Sequence, residues 1–416
     1  MTSNHTNTTH PLEPAFWAIA FRPFFLIPSF FILGALALWG LLLTNSLPSA
    51  ISSYQPYSGW IGWHSHEMIF GFVQAIAIGF LLTASRNWAS QPGISARFLK
   101  LLVCTWLLAR LAWLTPSTPT LLILILDVST PLLAALGLAQ TLAKGEQANG
   151  KGSQKHNWPF VLLLTAFALV QLLFHILYNK QPQYISLLMQ VAVLMMAAMT
   201  LWVSGRVLPF FTKAKLLTAI TPLPKGLKAL SMSASWVLIP VLVASVLVPD
   251  LINLAAPASA STTFKVIIAV FATIAAITHA ATLGIIFKRG VTKEPMLWSL
   301  YLAYGWIIVG FILLAVSQFY SATPPWLHAI TIGGLSGMIV SMMARVGLGH
   351  TGRKIIVLKG MMLAFVFIQL AVIVRIFMIS NTGFVLSIGL LIVTLIIFLY
   401  HYTHILIKPR ADGRPG

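Results

Sequence analysis

The sequence predicts an all-α polytopic membrane protein of about twelve transmembrane helices, with both termini cytoplasmic. Three observations predict it. The 416 residues are 58% hydrophobic and only 8% charged, against roughly 25% charged in a soluble domain. Apolar stretches of roughly 20 residues recur along the chain, the length a helix needs to cross a bilayer, whereas barrel strands would be shorter and would alternate. The basic residues fall almost entirely on one side of that pattern.

In chain order the apolar stretches cover 24–43, 64–84, 98–114, 119–139, 158–178, 185–205, 232–255, 264–287, 297–317, 325–346, 355–379 and 383–407. Residues 1–22 precede them as a polar cytoplasmic tail without the basic and apolar regions of a cleavable signal. Residues 23–407 form a single helical membrane domain, and 408–416 a cytoplasmic C-terminal tail. The longest loops, 140–157 and 206–231, are too short to fold alone. No P-loop or dinucleotide fingerprint occurs, which argues against an ATP-driven pump.

With the N-terminus inside, the positive-inside rule puts all but four of the 26 Lys and Arg on the cytoplasmic side. The exceptions are Lys180 and Lys265 in odd-numbered loops, and Arg110 and Arg375 within spans. The net charge of +19 is therefore a topology signal and not a nucleic-acid footprint, with attraction to the lipid bilayer's anionic headgroups as a by-product. Cys104 is the single cysteine. That excludes an intramolecular disulfide, a self-contained iron–sulfur cluster and a CxxCH haem attachment. A metal must be held by His, Met, carboxylate or backbone, and a haem must be non-covalent.

Ionisable residues at membrane depth are costly and mark sites more often than packing. Topology places His64, His66, Glu67, His175, His328, Asp127, Arg110 and Arg375 in the outer halves of their spans. Four histidines, two carboxylates and two arginines at one depth read as a buried polar site near the periplasmic face. His64 and His66 stand two residues apart, about 200° around a helix, so the pair points to opposite sides and does not chelate one ion. They can serve two cofactors or two partner helices. Glu67 suits a carboxylate that fixes a histidine tautomer, a proton relay, or a helix N-terminal acid. Asp127 interrupts an apolar run and is expected to meet Arg110 or Arg375. Those arginines have two open roles, pairing with haem propionates or with protein carboxylates. In span ten, Gly333 and Gly337 form a small-residue face for a close helix contact or a planar ring. Met338 and Met342 share a face there; soft thioethers suit Cu(I), although a methionine stripe also suits a core. His279 lies mid-helix in the inner half of its span. His350 stands just after span ten at the inner face.

Several separated motifs resemble the NnrS family. They are Phe21-Arg22-Pro23-Phe24-Phe25, Trp63-His64-Ser65-His66-Glu67-Met68, Gly79-Phe80-Leu81-Leu82-Thr83-Ala84, Asn87-Trp88, Gly205-Arg206-Val207-Leu208-Pro209-Phe210-Phe211-Thr212, and Ala344-Arg345 through Gly349-His350-Thr351-Gly352-Arg353. The resemblance runs from Arg22 to span twelve. It implies a multi-pass protein of the bacterial inner membrane that contains haem and copper and serves the nitric oxide response, relieving nitrosative stress. His64, His66, Glu67, His279, His328 and His350 match family positions, which marks the five histidines as metal-ligand candidates. The family often carries a histidine after its Leu-Trp-x-Leu segment, where this chain has Leu297-Trp298-Ser299-Leu300-Tyr301. Tyr301 is thus expected as a supporting or proton-relay residue, and if the family's histidine is a ligand, one metal site here is altered or absent.

Together these observations predict a non-covalent haem b with His64, His66, His328 and His175 as axial-ligand candidates and Arg110 and Arg375 on its propionates. Copper lies nearby, and nitric oxide is the small ligand. The alternatives are a transporter of copper, haem or an iron–nitrosyl species, and an electron-transfer protein linked to quinol or another redox partner.

Overall fold

A segment in lipid must satisfy its own backbone hydrogen bonds, and apolar runs without a polar alternation do so as helices. The computed structural model describes residues 15–49, 53–115, 117–178, 180–251, 258–320 and 325–414, and every regular element among them is helical. Twelve long helices succeed one another. They are α1 (Phe21–Leu43), α2 (Gly59–Ala89), α3 (Ala96–Leu114), α4 (Thr120–Asn149), α5 (Trp158–Tyr178), α6 (Ile185–Leu216), α7 (Lys225–Leu251), α8 (Ala258–Ile286), α9 (Pro295–Ser317), α10 (Trp326–His350), α11 (Met361–Phe377) and α12 (Asn381–Ile407). Ten are long and apolar enough to cross a membrane. The other two are α3, which carries Arg97, Lys100 and Arg110, and α11, with 17 residues. The chain is a polytopic membrane protein.

Several expected boundaries move, for identifiable reasons. Helix α11 starts at Met361 and not near 355, because residues 353–358 run outside helix and Gly360, at φ +88°, turns the chain into it. Helices α4 and α6 continue to Asn149 and Leu216, well past their apolar windows. The α4 extension is rich in Lys, Ala, Gln and Glu, which prolong a helix once it is nucleated, and the α6 extension ends on Lys213, Ala214, Lys215 and Leu216 after Pro209. Helix α1 begins at Phe21, so Arg22 is not a tail residue. It is fully buried, and its Nη1 donates to the carbonyls of Leu406 (2.8 Å) and Lys408 (2.7 Å), closing the C-terminal end of α12. The tail expected at residues 1–14 lies outside the described residues.

Consecutive helices pack mostly as antiparallel neighbours, and α1 lies against α12. Helices α2, α6 and α10 are the most enclosed, with 78, 67 and 61% of their most apolar windows buried, against 28% for α7. The helices that carry His64, His66 and His328 are therefore interior ones. Both α2 and α10 contain a π-helical stretch, Glu67–Val73 and Ala329–Ser336, each starting on the residue after a histidine. π-Turns insert an extra residue per turn and recur at functional sites. Ser336 Oγ donating to the Thr331 carbonyl at 2.9 Å, five residues back, matches that wider winding.

Candidate metal centre

The entry to α2 is a tight turn in which Ser58 and Gly59 both take positive φ (71° and 64°). Two turns later His66 and Glu67 reach α3, α4 and α5. His66 Nδ1 lies 3.0 Å from Glu67 Oε1, and its Nε2 lies 2.8 Å from Asp127 Oδ2 of α4. His175 of α5 brings its own Nε2 to the same Oδ2 at 3.1 Å. Arg110 of α3 closes the far side, with Nε 3.1 Å from Glu67 Oε2 and Nη2 paired with Asp127 Oδ1. His66, Glu67 and Asp127 are 0% exposed, Arg110 3% and His175 4%. Asp127 therefore meets Arg110, one of its two expected partners, and Arg110 is held by protein carboxylates and not free for propionates.

Two features of this cluster bear on its chemistry. With both imidazoles neutral, two carboxylates against one guanidinium leave one negative charge in a fully buried place, and such a charge calls for a proton or a cation. In addition, His66 Nε2 sits at bonding distance from Asp127 Oδ2 without the alignment of a hydrogen bond. One ligand atom each from His66, Asp127 and His175 lies within 4.8 Å of the others. Two imidazoles and a carboxylate suit a first-row transition ion such as iron, copper or zinc. Glu67 on Nδ1 is the outer carboxylate that fixes the tautomer and orientation of such a ligand.

Aromatic rings wall the cluster. Trp113 stacks on His66 at 4.2 Å and 28°, with Phe70 and Phe174 at 4.9 and 5.1 Å. Tyr57 stacks on His175 at 5.5 Å and 16°, and its hydroxyl reaches the His175 carbonyl at 3.5 Å. Burial, then the charges of Tyr178 and Asp127, push the Tyr57 phenol up to about 12, so it stays a donor at any physiological pH. Trp106 Nε1 donates to the Gly71 carbonyl at 3.0 Å. A Cβ on Gly71 would run into Glu67 Oε2 and Arg110 Nη1, so any larger residue there displaces that pair. The ligand atoms of His66, Asp127 and His175 thus converge inside an aromatic wall. His66 and His175, both expected as axial-ligand candidates, here face Asp127 together.

His64 leaves α2 in another direction. Its ring stacks on Trp39 of α1 at 4.4 Å and 13°, and its Nδ1 is buried without a hydrogen-bond partner. His328 and Arg375 lie within electrostatic range of it, and Arg375 rests over the Phe384 ring at 4.0 Å. The two histidines of His64-Ser65-His66 thus serve different surroundings, as their spacing requires. The remaining candidates are elsewhere. Both ring nitrogens of His279 are engaged, Nδ1 by the Tyr304 hydroxyl (2.6 Å) and Nε2 by Ser235 Oγ (2.9 Å), so neither is directed at a metal. Tyr301 donates to the Ile286 carbonyl (3.0 Å) and meets Thr212 Oγ1 (2.8 Å), far along α9 from the cluster. His350 packs against Phe21, ring centroids 5.6 Å apart.

The small-residue face of α10 makes a helix contact. A Cβ on Gly333 would enter Trp306, and one on Gly337 would come within 3.2 Å of Ala303, both on α9. Met338 and Met342 line a partly open apolar groove among α1, α2, α6 and α10, together with Met199 and Ser204. Sequence reasoning missed Tyr57, Trp113, Phe174 and Gly71. Only Gly71 left a signal, a glycine four residues after a buried glutamate, where a helix brings side chains together.

No curated protein matches the chain. The family model described as NnrS protein matches residues 15–410, nearly the whole length, and the chain belongs to the NnrS family.

Proposed function

We propose that this protein acts in the nitric oxide response of the bacterial inner membrane by holding a transition-metal ion, iron or copper, at His66, Asp127 and His175. Family membership suggests the nitric oxide role. The observation that carries the metal reading is the convergence of two imidazole Nε2 atoms on one carboxylate oxygen, with Glu67 behind His66. When bound, such an ion supplies a coordination position for a diatomic ligand and a one-electron couple. The chain's own residues do the rest. Glu67 keeps Nε2 of His66 turned toward Asp127, and Arg110 pairs with both carboxylates. Trp113, Phe174 and Tyr57 exclude water. An uncharged diatomic gas dissolves in the bilayer and in such apolar surroundings better than a polar competitor does.

A haem b, in this reading, belongs on the other side of α2. His64 offers an unpartnered buried nitrogen, His328 a second imidazole, and Arg375 a cation for a propionate. The test is an absorption titration of the purified protein with nitric oxide, in wild type and in His64→Ala and His66→Ala separately. The reading expects a haem Soret band that is lost in His64→Ala and retained in His66→Ala, and a nitric oxide response in the wild type. A spectrum with no Soret band and no change on adding nitric oxide contradicts it.

A further inference from the structure

The opposite, basic end of the bundle carries, besides Arg22, another buried cation, and no carboxylate among the described residues lies within ion-pair distance of it. This is Arg345, near the C-terminal end of α10 and 7% exposed. Its guanidinium rests over the Phe211 ring of α6 at 3.9 Å, and its Nε is buried without a hydrogen-bond partner. Glu294 is within electrostatic range, but its carboxylate is engaged by Lys215 Nζ at 3.2 Å. Arg345, Lys215 and Glu294 line one cavity, whose other wall is the non-helical segment at Ile355–Val357 with Met296 and Leu297. The cavity therefore carries two cations and one anion.

A buried guanidinium is stable where an oxyanion takes its fork, and phosphate and carboxylate are the matching shapes. The Phe211 ring covers one side of the guanidinium, and no protein hydrogen bond takes its Nε. The cavity sits where α6 ends and α9 begins, at the basic end of the bundle, where anionic phosphates concentrate. Apolar walls next to the cations suit a phosphate that carries an organic body. We propose that Arg345, with Lys215 beside it, forms a binding site for a phosphate group, from an anionic lipid headgroup or from a free phosphate. Glu294 is the internal competitor that holds Lys215 when the ligand is absent.

The test uses the full-length protein, delipidated in a neutral detergent, and reads the thermal unfolding midpoint. One arm adds inorganic phosphate against chloride at equal ionic strength. The other adds dioleoylphosphatidylglycerol against dioleoylphosphatidylcholine. The proposal expects a rise of roughly 2 °C or more in at least one arm. That rise is at least halved in Arg345→Gln and kept in Lys354→Gln, an exposed charge of the same segment. A gain with inorganic phosphate identifies the free anion, and a gain with phosphatidylglycerol alone identifies the lipid. If Arg345→Gln does not fold, Arg345→Lys replaces it, and native mass spectrometry of the wild type counts retained phosphatidylglycerol or phosphate directly. No gain in either arm, an equal gain in the Arg345 variant, or no retained adduct overturns the proposal.

Discussion

At the level of single residues, neighbouring histidines differ because their surroundings differ. Both ring nitrogens of His66 face carboxylates, whereas His64 has a buried nitrogen that faces none. Asp127 is the residue on which most depends, since Arg110, His66 and His175 all meet it. Asp127→Asn leaves Arg110 with half its compensation, and breaking a buried pair in this way costs about 3–5 kcal/mol. A denaturant or thermal unfolding series against wild type reads that loss directly. Glu67→Gln is a milder change. It keeps the shape and removes the charge behind His66, so metal affinity is expected to fall about 10–100-fold with helicity unchanged, as measured by chelator competition. Acid acts in the same direction. Protons compete with the ion for the imidazoles, so occupancy falls as pH is lowered; an occupancy that rises on acidification would be inconsistent with histidine ligation. Part of the centre is legible in the chain, because an aspartate directly after the apolar run Leu121–Leu126 is too costly to stand alone. The choice of Arg110 over Arg375 is not, since depth along a span says nothing about which helix lies beside which.

At the level of elements, the spans are legible because apolar length is set by the bilayer and recurs in the sequence. The two π-helical stretches are not. They contain no proline and no unusual composition, and their winding answers to packing: Gly71 against Glu67 and Arg110 in α2, Gly333 and Gly334 against Trp306 and Ile307 in α10. Gly71→Ala forces a methyl into that contact, and overpacking of this kind costs about 1–3 kcal/mol. The expected result is a lower unfolding midpoint together with weaker metal retention. An Ala variant with both unchanged would mean that the Glu67–Arg110 pair can shift without consequence. His279 shows the converse limit. Its family position marks it as a ligand candidate, yet hydroxyls of two other helices, Ser235 and Tyr304, take both of its nitrogens, and no local pattern in the chain announces that.

For the whole molecule, the centre exists only when α2, α3, α4 and α5 are assembled, because each contributes one or two of its five polar residues. The charge asymmetry between the two ends of the bundle also orients it. Once Cys104→Ser removes the single native thiol, Thr118→Cys and Lys228→Cys, at opposite ends of the bundle, label with an impermeant maleimide from opposite sides of the membrane. The periplasmic side is expected for Thr118→Cys, and labelling of both from one side would refute the topology. The most direct test of the metal centre is the elemental content of purified protein, wild type beside His175→Ala. The prediction is about one iron or copper per chain in the wild type, beyond any haem iron, lost in His175→Ala while the Soret band persists. Equal metal content in the two proteins would contradict it.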